Sequence, residues 1–158
     1  MGCDGAVSGK RELIEAARVA MANAHAPYSR FAVGAAVRLT DGRIVTGCNF
    51  ENASYGLSLC AETVALAAVN AQGRFADVEA IAVVGGAMGA DGSVAGDAIV
   101  TPCGRCRQIM NEAEQMAGRT LVIYCAAPEG DTVAEHRVAE LLPFAFGPAD
   151  LGITPRKN

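Results

Sequence analysis

Of the six cysteines, at positions 3, 48, 60, 103, 106 and 125, three are spaced as metal ligands would be. Cys103 and Cys106 stand three apart behind Pro102, where a helical pattern begins. Residues three apart on a helix share a face, so both sulfurs can reach one ion. The free N–H groups and positive dipole of a helix start also favour the thiolate that metal binding requires. Cys60 opens another helical pattern 43 residues earlier and can present its sulfur in the same way. Three thiolates leave one position of a tetrahedral zinc open, which marks a catalytic site rather than a closed structural one. A water at that position becomes hydroxide-like near neutral pH. Glu62, two residues beyond Cys60, can accept the water's proton and deliver it to a ring nitrogen and later to a leaving amine. That chemistry fits hydrolytic deamination of a pyrimidine amidine. The plainer reading of the three cysteines is a structural zinc site or buried thiols, and the flanking Ala61-Glu62 and Pro102 weigh against it.

The remaining cysteines read otherwise. Cys48 and Cys125 lie in apolar, strand-like runs and are expected to pack in the core, and Cys3 lies near the chain start. A disulfide framework belongs to small exported chains. This N-terminus has no apolar signal core, so clustered cysteines point to metal or catalysis. The net charge of −4 argues against nucleic acid as the main partner. No apolar run approaches a membrane span, and the expected location is cytoplasmic.

The elements that must position these residues follow from periodicity. The chain has 158 residues, 51% hydrophobic and 19% charged, and reads as one domain over 1–158, with 1–9 a loose lead-in and 152–158 a tail. Leu13, Ala17, Ala20 and Ala24 form a helical stripe over 10–24. Phe31–Leu39 is β-like, Asp41-Gly42 is a hairpin turn signal, and Arg43–Phe50 returns as the partner strand. A helix apolar nearly all round spans Cys60–Ala71, and Val78–Val84 reads as a buried strand ahead of a loop over 85–98. A third helix runs from near Cys103 to near Gly118, followed by a strand over Leu121–Ala126 and a charged edge strand over Thr132–Val138. The order α-β-β-α-β-α-β-β predicts an α/β protein, a three-layer α/β/α sandwich with a mixed sheet of about five strands.

Cys60-Ala61-Glu62 together with Pro102-Cys103-Gly104-Arg105-Cys106-Arg107-Gln108 resembles the motif pair of the zinc-dependent deaminases. Further stretches, Tyr28–Ala36, Asn49–Leu57, Glu140–Pro143 and Phe146–Pro148, resemble cytidine deaminases of the small homotetrameric type that act on free nucleosides, and the likeness runs from about residue 10 to 151. The resemblance implies one zinc per subunit on Cys60, Cys103 and Cys106, with Glu62 as proton shuttle. It also implies hydrolysis of cytidine and deoxycytidine to uridine and deoxyuridine plus ammonia, in pyrimidine salvage. Asn49 and Glu51 would bind the ribose hydroxyls, and Phe31 and Ala61 would meet the base. Phe146 would stack on the base from a neighbouring subunit, and Ala53 and Tyr55 would also reach across the interface, so that active sites are shared within a homotetramer. A capping or turn role is the bland alternative for Asn49 and Glu51. Other readings of the whole are a deaminase of a modified cytosine nucleoside and a catalytically silent zinc-stabilised module. One position departs from the pattern: Thr63 stands where many members carry arginine. Three thiolates around zinc carry a net negative charge, and the helix N-termini with Arg107 are expected to offset it.

Overall fold

The structure, a computed structural model, describes residues 3–155, with the backbone alone over 3–8. Helix α1 (Cys3–Met21) is followed by β1 (Phe31–Leu39), β2 (Ile44–Cys48), α2 (Ala61–Ala71), β3 (Val78–Ala87), α3 (Gly104–Ala117), β4 (Val122–Ala126), β5 (Val133–Arg137) and a short α4 (Val138–Leu141). The strands form one sheet in the order β2-β1-β3-β4-β5. Only β3 and β4 are parallel; β1–β2, β1–β3 and β4–β5 are antiparallel. The sheet is therefore mixed and five-stranded, as the order of elements predicts.

Strand periodicity builds the layers, because alternate side chains point to opposite faces. On one face Ala32, Ala36, Ala82, Val84 and Tyr124 pack against Leu13, Ile14, Ala17 and Met21 of α1. On the other face Ala35, Val37, Ile81, Val83, Ile123 and Cys125 pack against Ala65, Leu66 and Val69 of α2 and Met110 and Ala113 of α3. Helix α2, apolar nearly all round, is accordingly buried along much of its length, with Ala61, Ala65 and Val69 fully covered.

Several expected boundaries move. The lead-in expected over 1–9 is helical from Cys3 onward; residues 1–2 lie outside the described part, as do 156–158 of the tail. A glycine inside a helix costs about 1 kcal/mol, which docked neighbouring turns can offset. At Gly9 a Cβ would come within 2.8 Å of the Arg38 guanidinium, the mobile end of a long side chain. At its other end α1 stops at Met21, short of Ala24. Strand β3 continues through Gly85 and Gly86 to Ala87, where a loop was expected. The partner strand overrides weak local propensity there: Phe31, Ala32 and Val33 of β1 pair with Ala87, Gly86 and Gly85. Cys125 is buried as expected, whereas Cys48 is half-buried and lies 3.4 Å from Asn23 O as a hydrogen-bond donor.

Candidate active site

Two helix starts converge to make the floor of a cleft. Each helix begins after the C-terminal end of the strand before it, α2 after β2 and α3 after β3. Helix α2 lies directly on β2 because Gly47 has no side chain: a Cβ there would come within 2.6 Å of Ala65 N and 2.8 Å of Ala61 O. Cys60 is the N-cap of α2 and Cys103 the N-cap of α3, both in extended backbone, one residue outside the helices they were expected to begin. The sulfurs of Cys60, Cys103 and Cys106 all lie within 4.8 Å of one another, and Cys60 Sγ is 3.8 Å from Cys103 Sγ. Zn–S bonds of about 2.3 Å in tetrahedral geometry place sulfurs roughly 3.8 Å apart, so the cluster fits a zinc ion without rearrangement of that pair. Glu62, in the first turn of α2, is 4% exposed and faces the same cleft.

The electrostatics of the floor also call for a cation. Burial pushes the Glu62 carboxyl above its ordinary range, opposed by its own backbone N–H and by the Cys106 thiol. Burial likewise pushes up Cys60, and it pushes Cys106 far up, with the Glu62 charge as the second cause. For Cys103 burial also works upward. Hydrogen bonds from the backbone N–H and thiol of Cys106, from Cys60 and from the N–H of Arg105 win, and that thiol lies below its usual value. A single helix start thus supports one of three sulfurs, and a dication would stabilise the other two as thiolates. Arg107 does not serve the sulfurs. Its guanidinium donates to Pro102 O at 2.7 Å, Leu141 O at 2.9 Å and Thr101 Oγ1 at 3.4 Å, tying the loop before α3 to the end of α4.

Above the floor the cleft, about 370 Å³, is walled by Phe31 and Val33 of β1, Asn49 and Glu51 beyond β2, and Val100 and Thr101 before α3. Asn49 leaves the sheet while still bonded to it. Its backbone N–H donates to Val33 O at 3.0 Å, its Oδ1 accepts from Val33 N–H at 2.8 Å, and its Nδ2 donates to Phe31 O at 2.8 Å. The side chain therefore replaces the ladder where β2 ends, which gives Asn49 a structural task besides any contact with ligand. Glu51 Oε2 accepts the N–H groups of Tyr28 at 2.9 Å and Ser29 at 3.2 Å. The Ser29 hydroxyl, followed by those N–H groups, holds the carboxyl below its ordinary range against some desolvation. The backbone of His25 pins the segment between them, accepting from Glu51 N–H at 2.8 Å and donating to Asn49 O at 3.0 Å.

The cleft thus gathers Phe31, Asn49, Glu51, Cys60, Ala61, Glu62 and Cys103, with Cys106 joining through the sulfur cluster. Three expected contacts stand elsewhere. Ala53 is exposed on the loop above the cleft. Tyr55, 74% exposed, packs edge-on against Tyr28 in a neighbouring hollow of about 290 Å³ that shares Ser29, Glu51 and Ser58 with the cleft. Phe146 is 62% exposed, its carbonyl held by Gln108 Nε2 at 2.7 Å and Asn111 Nδ2 at 3.3 Å. Val33, Val83 and Val100 were not singled out beforehand. They read as ordinary apolar strand or loop residues; pairing of β1 with β3 brings Val33 and Val83 to the cleft, and the loop before α3 brings Val100.

The sequence profile of the cytidine and deoxycytidylate deaminase zinc-binding region matches residues 8–124. The chain belongs to this family. Among relatives, the cytidine deaminase of Mycobacterium tuberculosis is 46% identical over 132 residues, covering 84% of this chain and 85% of that one. That of Halalkalibacterium halodurans is 44% identical over 142 residues, covering 90% and 97%. The crystal structure of cytidine deaminase from Burkholderia pseudomallei superposes with a TM-score of 0.72 at 44% identity, covering 86% of this chain and 98% of that chain. Within this family of zinc enzymes, Cys60, Cys103 and Cys106 form a cluster able to hold the metal among the described residues.

Proposed function

We propose that this protein hydrolyses cytidine and deoxycytidine to uridine and deoxyuridine, consuming one water and releasing ammonia. The observation that carries the reading is the floor of the cleft: three cysteine sulfurs at zinc spacing beside one buried carboxyl. Cys60, Cys103 and Cys106 would hold the zinc, which supplies a Lewis acid able to acidify water at its open position. Glu62 manages the protons. As carboxylate it accepts one from the attacking water and passes it to the ring nitrogen; it then takes the second, from the hydroxyl now on the ring carbon, and hands it to the departing amine. A carboxyl raised by burial suits this, because burial favours its protonated form and makes it a stronger base toward water than an exposed glutamate.

Phe31 packs on the base and, with Val33, keeps water from that wall, while Ala61 meets the base at the floor. Asn49 and Glu51 hold the sugar with the groups their scaffold bonds leave over, the second amide N–H of Asn49 and Oε1 of Glu51. Ala53, Tyr55 and Phe146 complete the site of a neighbouring subunit in a homotetramer, consistent with their exposure outside this chain's own cleft. The chain acts as one domain, in the cytoplasm, in pyrimidine salvage; among the described residues no helix is long and apolar enough to cross a membrane.

The test is the loss of cytosine absorbance when zinc-loaded protein meets cytidine, deoxycytidine, 5-methylcytidine or cytidine monophosphate. Turnover of the free nucleosides, with a Glu62→Ala variant that keeps zinc but is inert, is the expected result. Turnover of the monophosphate alone would sink the free-nucleoside reading. A zinc-loaded protein inert on every substrate would leave a zinc-stabilised binding module.

A further inference from the structure

The three sulfurs are not equally supplied with hydrogen-bond donors. Cys103, at an N-cap, accepts N–H groups from the start of its own helix. Cys106 is one turn further in and fully buried, with a relative exposure of 0%. Three thiolates around a dication carry a net negative charge. Among the described residues no lysine, arginine or histidine nitrogen hydrogen-bonds any of these sulfurs, Arg107 being committed to Pro102, Leu141 and Thr101. One hydroxyl does reach Cys106. Thr63 Oγ1, from the first turn of α2, lies 3.8 Å from Cys106 Sγ, within hydrogen-bond range for sulfur. Thr63 is half-buried, which limits competition from water. Its position also links the two helix starts across 43 residues of sequence.

We propose that Thr63 is a positioning residue for the metal: its hydroxyl donates to the Cys106 sulfur, aims that sulfur at the ion and withdraws electron density from it. The inference rests on the reading of the three cysteines as a zinc site. Hydrogen bonds to metal ligands orient them and tune the metal, and their loss typically costs 10–100-fold in affinity or activity. A donor to a buried thiolate favours its ionised form and leaves the metal more electron-poor, so that its bound water is more acidic.

Thr63→Val removes the hydroxyl at nearly constant shape, and Thr63→Ser keeps the hydroxyl while losing a methyl. Zinc affinity by chelator competition is expected to fall roughly tenfold or more in Thr63→Val and to stay near the wild type in Thr63→Ser. The thiolate-to-metal charge-transfer band of the cobalt-substituted protein is expected to move to longer wavelength in Thr63→Val, because a sulfur without its donor is easier to oxidise, and to hold its place in Thr63→Ser. Should valine disturb the packing, Thr63→Ala against Thr63→Ser makes the same comparison by truncation. A valine variant with wild-type zinc affinity and an unmoved cobalt band would overturn the inference alone, as would a serine variant that behaves like valine. A wild-type chain that takes up neither ion would overturn the zinc-site reading with it.

Discussion

At the floor of the cleft Glu62 is 4% exposed and Cys106 fully buried, whereas at its rim Phe31 is 37% exposed. The floor side chains project from two helix starts pressed onto the sheet. The rim residues sit at a strand entrance or on loops, held by hydrogen bonds to neighbouring backbone, as with Asn49 on β1 and Glu51 on Tyr28 and Ser29. Helix packing fixes a metal ligand to a fraction of an ångström, which bond-making chemistry demands. Backbone-tethered loops hold a sugar firmly enough to bind it. Damage to the floor should therefore appear in kcat, and damage to the rim in KM.

The largest expected effect is at Glu62. Replacing it with glutamine should lower kcat by at least roughly 10²–10⁴-fold with the zinc content unchanged, measured by turnover alongside metal analysis. Zinc lost together with activity would mean that floor and shuttle are one structural unit, and the distinction between them would go. Next comes Gly47→Ala. The added methyl must displace the first turn of α2, costing about 1–3 kcal/mol in denaturant unfolding, and kcat should fall because Cys60 and Glu62 move with that turn. An alanine variant with normal kcat would show that the helix start adapts, contrary to the rigidity assigned to the floor.

At the rim, Asn49→Ala deletes two side-chain bonds of 2.8 Å, each contributing about 0.5–1.5 kcal/mol. Stability should fall by about 1–3 kcal/mol for the pair and KM should rise more than kcat drops. The opposite split would place Asn49 with the floor.

The smallest effect concerns pH in the metal-free protein. The folded-state pKa of Glu62 is raised by burial, so below the unfolded value, near 4.5, its contribution to stability is fully present. As pH rises through the folded value the native state must hold a buried charge, and that stability is lost. Metal-free wild type should therefore lose melting temperature between mildly acidic and neutral pH, relative to metal-free Glu62→Gln. Glu51, whose pKa is lowered chiefly by Ser29, stays ionised across that window, so Glu51→Gln should show no such difference from the wild type. Parallel pH curves for wild type and Glu62→Gln would mean that water reaches the floor as readily as the rim.

Much of this was legible in the residues. The β-like run Phe31–Leu39 foretold β1, and the spacing of Cys103 and Cys106 behind Pro102 foretold a shared target for their sulfurs. Helix ends were less legible, since Cys60 and Cys103 cap their helices from one residue outside, in extended backbone. The start of α1 was hidden by Gly5 and Gly9, which are poor helix formers in sequence. The second task of Asn49 was not legible either: an amide that replaces a strand ladder looks, in sequence, like any polar residue at a strand end.

The sequence by itself determined the reactive groups and their local directions, because periodicity and helix-start chemistry act over a few residues. That is how Cys60, Glu62, Cys103 and Cys106 stood out. Tertiary structure decided what meets what. The order β2-β1-β3-β4-β5, the seat of α2 on Gly47, the spending of Arg107 on carbonyls and the contact of Thr63 with Cys106 all join residues far apart in the chain. Such contacts depend on packing that has no local signature.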